Sequence, residues 1–171
     1  MQRTGSGSFN PTHQNLAEKF DVSNAAPFWK AKSLDALSDV EWESLCDGCA
    51  RCCLVKLEDA DSGEIHYTNV ACKLLDTDTC RCTDYPNRKK LVPTCFVLTA
   101  ATIADYPYLP ETCAYRRLYE GKELPEWHPL VSGSPDSVHR AGISVLGKVV
   151  SEEYVHPDQL EDHIVDWPSQ G

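Results

Sequence analysis

The 171-residue sequence has no apolar run close to the ~18 residues that a membrane-spanning helix requires. Residues 1–14 are polar and rich in glycine, serine and threonine, and they lack the basic and apolar regions of a secretory signal. We therefore expect a protein without a membrane span that resides in the cytosol. In that compartment thiols stay reduced and disulfides are rare.

Positive charge is scarce in this chain. Sixteen lysines and arginines stand against 26 aspartates and glutamates, which gives a formal net charge of -10. A nucleic-acid-binding surface depends on cationic contacts with phosphate, and the basic run at 88–90 is too short to reverse the overall field. We therefore expect neither nucleic acid nor a membrane as a partner.

The motifs of familiar enzyme classes are also missing. The chain has no G-x-S-x-G, no phosphate-binding loop, no dinucleotide fingerprint and no H-E-x-x-H. His128 and His139 follow the cysteine-rich part and could supply a ligand or a proton carrier, although a lone histidine is more often a surface or hydrogen-bonded core residue. No catalytic residue is predicted, and metal binding without catalysis is favoured over an enzyme.

What the chain does contain is cysteine, in one part of the sequence. None of the nine cysteines lies in the first 45 residues, four lie within Cys46–Cys53, and the last is Cys113. Such clustering needs a shared cause, either a disulfide framework or a bound metal. A cytosolic location and an odd number of cysteines favour the metal, because disulfides are rare there and full pairing would leave one thiol over.

The cysteine spacing is typical of thiolate metal sites without selecting one metal. Cys46-x2-Cys49-x2-Cys52 matches the first three ligands of a bacterial ferredoxin run, and the match then ends. In such proteins a remote cysteine completes the cluster, and Cys72 or Cys95 could do so here. Four thiolates would equally form a closed tetrahedron around Zn²⁺.

The number of cysteines is enough for two four-thiolate sites, or for one site with spare thiols. Because the side chains of consecutive residues diverge, Cys52 and Cys53 favour two sites, or one site with a spare thiol, over one five-ligand site. Cys113 is the weakest ligand candidate, since it could equally be a small buried apolar residue on a predicted helix. The predicted metal ligands are Cys46, Cys49, Cys52, Cys53, Cys72, Cys80, Cys82 and Cys95.

Helix and strand signals surround this cysteine-rich core. Ser38 and Glu41 fit a capping box, which predicts a helix over 39–45 that leads into the first cysteine. Residues 65–71 are rich in β-branched and aromatic side chains and predict a strand. Residues 72–82 predict a hairpin closed by 76–79, which would bring its three cysteines together.

Further elements are predicted towards the end of the chain. They are a short helix over 96–104, a helix from Pro110 to Gly121, a helix from Ser134 to Gly142, a small hairpin over 143–150, and a last helix that opens at His156-Pro157 and places Leu160, Ile164 and Trp167 on one face. Together the elements predict an α+β fold, a small helix-rich single domain around an irregular cysteine-rich metal-binding core with one or two short β-hairpins. Residues 1–26 are expected to form a flexible N-terminal tail and residues 27–171 the metal-binding domain.

The stretches around the cysteines resemble a known family. The run from Cys46 to Cys53 is similar to the CxxCxxCC signature of the zinc- or iron-chelating, YkgJ-like cysteine-cluster superfamily. Longer stretches resemble its bacterial YcgN branch, namely Glu41–Cys49, Thr68–Cys72, Cys80–Cys82, Cys113–Arg117 and Trp127–Leu130. The resemblance implies a small cytosolic metal-binding protein. Related cysteine clusters in flagellin lysine methylases imply that an iron–sulfur cluster would also suit such a core.

The main hypothesis from the sequence is a cytosolic, zinc- or iron-chelating cysteine-cluster protein, with zinc, iron or a 4Fe-4S cluster as its cofactor. The alternative is an iron–sulfur redox or enzyme-accessory protein, which the ferredoxin-like run favours. A third hypothesis is an enzyme that uses one free cysteine, such as Cys53 or Cys113, but no motif identifies a base to activate it.

Overall fold

The computed structural model describes residues 26–95 and 97–168, in which short helices and strands are joined by long loops. The helices are α1 (Phe28–Ala31), α2 (Asp39–Ser44), α3 (Arg88–Leu91), α4 (Ala114–Tyr119), α5 (Pro129–Ser132) and α6 (Ser137–Arg140). The strands are β1 (Leu54–Glu58), β2 (Ile65–Ala71), β3 (Leu75–Asp76), β4 (Arg81–Cys82) and β5 (Val150–Ser151). Turns of 3-10 helix lie at Leu34–Ala36, Arg51–Cys53, Ile103–Asp105, Glu152–Tyr154 and Pro157–His163. This arrangement confirms the predicted α+β class.

The sequence predicts an N-terminal tail and no membrane-spanning helix. The predicted tail at 1–26 lies, apart from residue 26, outside the described residues. Within the described ranges, no helix has the length and apolar character needed to cross a bilayer.

The helix before the cysteine loop begins as its sequence predicts. Ser38 Oγ accepts a hydrogen bond from Glu41 N–H at 3.3 Å, and the Glu41 carboxylate accepts one from Ser38 N–H at 2.9 Å. This capping box satisfies backbone donors that a helix start would otherwise leave unpaired. Helix α2 then ends at Ser44, so that Leu45 and Cys46 follow it directly.

A three-stranded sheet has the order β1–β2–β5. Strands β1 and β2 are antiparallel, with Lys56 opposite Tyr67, and β2 confirms the strand predicted over 65–71. Strand β5 pairs with β2 in parallel, Val150 opposite Val70. The sheet therefore holds the C-terminal part of the chain against the strand that leads to Cys72.

Strands β3 and β4 form the predicted hairpin as a second, two-stranded sheet in which Leu75 lies opposite Cys82. One carboxylate oxygen of Asp76 accepts hydrogen bonds from the backbone N–H groups of Asp78 and Thr79, at 2.9 and 3.1 Å. Aspartate favours turns because its side chain can bond to the backbone in this way.

Two predicted helices around the last cysteines have other bounds. Residues 97–100 form a loop, followed by the 3-10 turn at Ile103–Asp105, so the helix predicted over 96–104 is wrong. The helix predicted from Pro110 begins at Ala114 instead, although it ends close to Gly121 as predicted. Neither segment starts with a capping side chain, and apolar content alone favours a helix only weakly.

The C-terminal part contains one confirmed prediction and two errors. The helix predicted before Gly142 is confirmed as α6. The hairpin predicted over 143–150 is wrong, because Val150 pairs with β2 and not within its own segment. The last helix is a run of 3-10 turns, and Ile164 beyond it is 42% exposed, so no continuous apolar face forms there.

Three apolar clusters support these elements. The strand cluster consists of Ala50, Leu54, Ala71, Leu75, Cys80 and Val145. The helix cluster consists of Leu45, Ile103, Ala114, Tyr115 and Leu124, and it joins α2 to α4. The third cluster consists of Cys49, Val138 and Ile143. Because each cluster includes a residue from 45–54, the cysteine-rich loop lies where all three clusters meet.

Candidate metal centre

A buried histidine fixes the start of the cysteine loop. His128 Nδ1 accepts a hydrogen bond from Leu130 N–H at 3.1 Å, so the ring proton lies on Nε2, which is 3.1 Å from the Leu45 carbonyl oxygen and donates to it. Both ring nitrogens are therefore engaged with the backbone. Burial also lowers the pKa of His128 and keeps the ring neutral. His128 thus holds the residue before Cys46 in place.

His139, the other histidine candidate, has a different hydrogen-bond partner. Its Nδ1 is 2.8 Å from Ser144 Oγ. The structure therefore gives this nitrogen a hydroxyl partner from the loop after α6.

Backbone geometry curls the loop that carries the first four cysteines. Asp47 Oδ1 accepts a hydrogen bond from Cys49 N–H at 2.8 Å. Gly48 and Ala50 both have left-handed backbone, with φ of 78° and 59°. A Cβ on Gly48 would approach the Arg81 guanidinium to 3.2 Å, so glycine serves here both for its φ and for a close contact.

Arg51 anchors the same loop from inside the protein. It is 2% exposed, its Nε donates to the Ile143 carbonyl at 2.7 Å, and its Nη1 donates to the Pro168 carbonyl. The guanidinium carbon also lies 5.6 Å from the centre of the Trp167 ring. These contacts connect the cysteine loop to the C-terminal part of the chain.

The remaining cysteines are brought towards the loop by the strands and by α3. Cys72 N–H donates to the Cys53 carbonyl at 2.8 Å. The β3–β4 hairpin then returns the chain to Cys82, opposite Leu75. Cys95 follows α3 through a turn in which its N–H bonds to the Val92 carbonyl at 2.9 Å.

All nine cysteines, none of them in a disulfide, border one cavity of about 940 Å³. Cys49 and Cys80 are buried, Cys46 and Cys52 are exposed, and the other five are half-buried. The structure therefore brings the eight predicted ligands to the same cavity, and it adds Cys113, which the predicted set left out.

The cysteine side chains are suitable ligands for the metals that the sequence predicts, but they lie too far apart to hold one ion. Thiolates are the ligands that zinc and iron–sulfur clusters share. Among residues 26–95 and 97–168, no three histidine, cysteine, aspartate or glutamate side chains are already arranged to hold one ion. By its donor chemistry the cavity fits a thiophilic metal, and the thiols would have to approach one another to close around it.

Cys113 and two loop cysteines share one environment. Desolvation by the cavity walls raises the pKa of Cys46 and of Cys113 to about 12, and burial raises that of Cys49 well above its ordinary range. A backbone N–H group lowers each of these pKa values in part. The donor is Gly48 for Cys46, Arg51 for Cys49 and Arg116 for Cys113. Donors aimed at sulfur in this way favour the thiolate, which is the form that binds metal.

Cys52 differs from its neighbours. A hydrogen bond from the Cys53 thiol, with the two sulfur atoms 3.9 Å apart, lowers the pKa of Cys52 to about 7. The same hydrogen bond and burial raise the pKa of Cys53. The Lys56 ammonium adds to the lowering at Cys52, and it donates to the Cys52 carbonyl at 3.1 Å. A thiolate at Cys52 is therefore available near neutral pH.

Comparisons with known proteins agree with this chemistry. Residues 45–114, which include all nine cysteines, match the protein family described as "Putative zinc- or iron-chelating domain". No solved structure is significantly similar to the chain.

Bacterial relatives match over most of their length, and each is named only "UPF0260 protein". The relative from Cellvibrio japonicus is 59% identical over 140 residues, which cover 82% of this chain and 95% of the relative. The relative from Allorhizobium ampelinum is 56% identical over 142 residues, covering 83% and 89% of the two chains. The relative from Parvibaculum lavamentivorans is 56% identical over 142 residues, covering 83% and 93%. The chain therefore belongs to the UPF0260 family and contains the cysteine-rich domain for which zinc or iron chelation is described.

Proposed function

We propose that this protein binds zinc or iron through the thiols that border the cavity, and that it acts by holding the metal and not by catalysis. One observation carries the proposal: nine free cysteines from five separate parts of the chain border a single cavity. Cysteines used only as small core residues would have no reason to border one cavity, and a disulfide framework would pair them.

The protein surroundings support thiolate binding of a cation. Asp47 is 5% exposed, lies beside the first cysteines and adds a negative charge to the cavity wall. Lys56, which lines the cavity, and the buried Arg51 are positive charges near the loop thiols that would offset part of the charge of a thiolate site. A zinc ion would close a tetrahedral site and stabilise the loops, whereas an iron–sulfur cluster would supply electron transfer.

An iron–sulfur redox or enzyme-accessory function is the second candidate. The specific support is the run of Cys46, Cys49 and Cys52 at ferredoxin-like spacing, with Cys113 as a remote cysteine on the same cavity. This candidate predicts a brown protein with sulfur-to-iron absorption in the visible range. A colourless, zinc-loaded protein after anaerobic purification would count against it.

A cytosolic location belongs to the same proposal. Thiols stay reduced in that compartment and so remain available to a metal. Fractionation of cells that express the full chain should recover it with cytosolic markers, and recovery from an oxidising compartment would contradict this part.

The test is elemental analysis together with a visible spectrum of the anaerobically purified full chain. We expect stoichiometric zinc or iron. Cys49→Ser should lose metal and stability, because metal-binding free energy is partly folding free energy. His156→Ala is the control, since this histidine is 67% exposed and should leave the metal in place.

The outcomes separate the alternatives. A metal-free wild-type protein would refute the proposal. Unchanged metal content and thermal stability in Cys49→Ser would contradict the role of the loop thiols, and metal loss in His156→Ala would show that the ligand set extends beyond the cavity.

A further inference from the structure

We propose that the thiols form two separate four-cysteine metal sites and that Cys113, not Cys80, completes the set. The helix-side site consists of Cys46, Cys49, Cys52 and Cys113. The strand-side site consists of Cys53, Cys72, Cys82 and Cys95. This inference rests on the metal-binding function proposed above and specifies its ligands.

The helix-side site is built on two helices that pack together. Cys46 follows α2, and Cys113 directly precedes α4 as its N-cap residue. Tyr115 in α4 donates from its hydroxyl to the Trp42 carbonyl in α2 at 2.9 Å, and the two rings are 4.8 Å apart between their centres. Cys113 itself packs against the helix cluster that contains Leu45. Cysteines distant in sequence are therefore fixed on adjoining elements.

A buried carboxylate marks this site as suited to a cation. Asp47 lines the cavity and is 5% exposed, and within the described part of the chain its Oδ2 has no hydrogen-bond partner. It directly follows Cys46, and its Oδ1 accepts the Cys49 N–H at 2.8 Å, so it lies beside the loop thiols of the helix-side site. An unpaired buried carboxylate oxygen is costly, and a positive ion nearby would remove that cost.

The strand-side site is built on the hairpin and the sheet. Cys53 packs against the strand cluster, and its carbonyl accepts the Cys72 N–H at 2.8 Å. The β3–β4 hairpin returns the chain to Cys82, opposite Leu75, and the turn after α3 leads to Cys95. These elements bring all four cysteines to the cavity.

The boundary between the two sites falls at the Cys52–Cys53 peptide bond. Cys52 belongs to the loop that carries Cys46 and Cys49, whereas Cys53 packs against the strand cluster and its carbonyl accepts the Cys72 N–H at 2.8 Å. The two sulfur atoms are only 3.9 Å apart. The two side chains therefore converge and do not diverge as the sequence predicts. Because Cys53 packs against the strand cluster, the adjacent thiols can still serve two neighbouring ions.

Cys80 has the character of a packing residue. It is 4% exposed, it belongs to the strand cluster itself, and its φ of 55° places it in the turn of the hairpin. After burial, the influences on its pKa are the charges of Arg81 and Asp76, both in the same hairpin. Its thiol is therefore directed into the apolar cluster, although the residue forms part of the cavity wall.

The test is the metal content of the full chain and its variants after anaerobic purification. We expect Cys113→Ser to lose half of the metal and Cys95→Ser to lose the other half. The double variant of Cys46 and Cys113 should lose no more than half, because both residues serve one site, whereas the double variant of Cys95 and Cys113 should lose all. Cys80→Ala should retain the full content.

The comparison of the two double variants decides the matter even if Cys80→Ala fails to fold. A wild-type protein with one metal centre, a Cys46/Cys113 double variant that loses all metal, or metal loss in Cys80→Ala with retention in Cys113→Ser would each overturn the division. A wild-type protein with no metal would refute the metal-binding function itself, and the two failures are therefore distinguishable.

Discussion

The sharpest prediction concerns His128, because the chain contains a matched control. His128 and His156 each precede a proline and each cap a short helical segment by accepting a backbone N–H on Nδ1, from Leu130 and Asp158 respectively. They differ in their second nitrogen and in their surroundings. His128 is fully buried and donates from Nε2 to the Leu45 carbonyl, whereas the side chain of His156 is 67% exposed.

We expect His128→Leu to destabilise the protein more than His156→Leu does. Both variants lose the capping hydrogen bond, which costs about 0.5–2 kcal/mol. Leucine is close to histidine in volume, so the buried site should not collapse. In His128→Leu the Leu45 carbonyl also loses its donor inside the protein, which costs about 1–3 kcal/mol more. The difference between the two variants therefore reports the hydrogen bond that positions the residue before Cys46.

The measurement is urea unfolding of both variants at the same free metal concentration, with tryptophan fluorescence as the signal that monitors unfolding. Metal content should also fall in His128→Leu and stay unchanged in His156→Leu. Equal losses of unfolding free energy in the two variants, with equal metal content, would refute the role of His128 as a clamp on the cysteine loop.

Three further predictions follow. Gly48→Ala should lower the unfolding free energy by about 1–2 kcal/mol because of its left-handed backbone, and it should also reduce metal content. Gly121→Ala introduces the same backbone strain but has no neighbour within 4 Å, so it should leave the metal content unchanged. Equal metal contents in the two variants would contradict this prediction. The pKa values of three thiols of the helix-side site are raised and that of Cys52 is about 7, so metal uptake there should release about three protons at pH 8. Metal affinity should therefore fall by about tenfold per pH unit for each released proton as the pH is lowered. Calorimetry in buffers of different ionisation enthalpy measures the number of protons, and metal uptake without proton release would contradict the prediction. Chelation of the wild-type protein should lower its unfolding free energy by about 2.7 kcal/mol if free metal had stood at about 100 times its dissociation constant; unfolding that is insensitive to chelator would argue against coupled metal binding.

Local signals in the sequence predict local structure well in this protein. The capping box at Ser38, the strand at 65–71 and the turn centred on Asp76 each depend on side chains next to the backbone they shape. The parallel pairing of Val150 with β2 depends on a partner far away in the sequence. No local pattern distinguishes that arrangement from the hairpin predicted over 143–150.

The candidate site shows the same contrast between local sequence signals and contacts that are distant in sequence. Seven of the predicted ligands retain their place in the proposed sites, because clustering and spacing identify them directly. The proposal adds Cys113, whose position depends on how α4 packs against α2, which the helix cluster determines. The signal that could have found it is its place just before a helix, where a thiol meets unpaired backbone N–H groups. The proposal leaves out Cys80, because its left-handed backbone lies in the hairpin turn and the residue belongs to the strand cluster.

The contact between Arg51 and the Pro168 carbonyl sets an order of events during protein synthesis. The two residues are 117 positions apart, so at about 5–20 residues per second the ribosome needs about 6–23 s to reach the second after making the first. The Ile143 carbonyl, the other acceptor for Arg51, also arrives late. The cysteine loop therefore emerges well before the residues that anchor it, and its thiols meet the cell's metals and oxidants before the walls that later bury them exist.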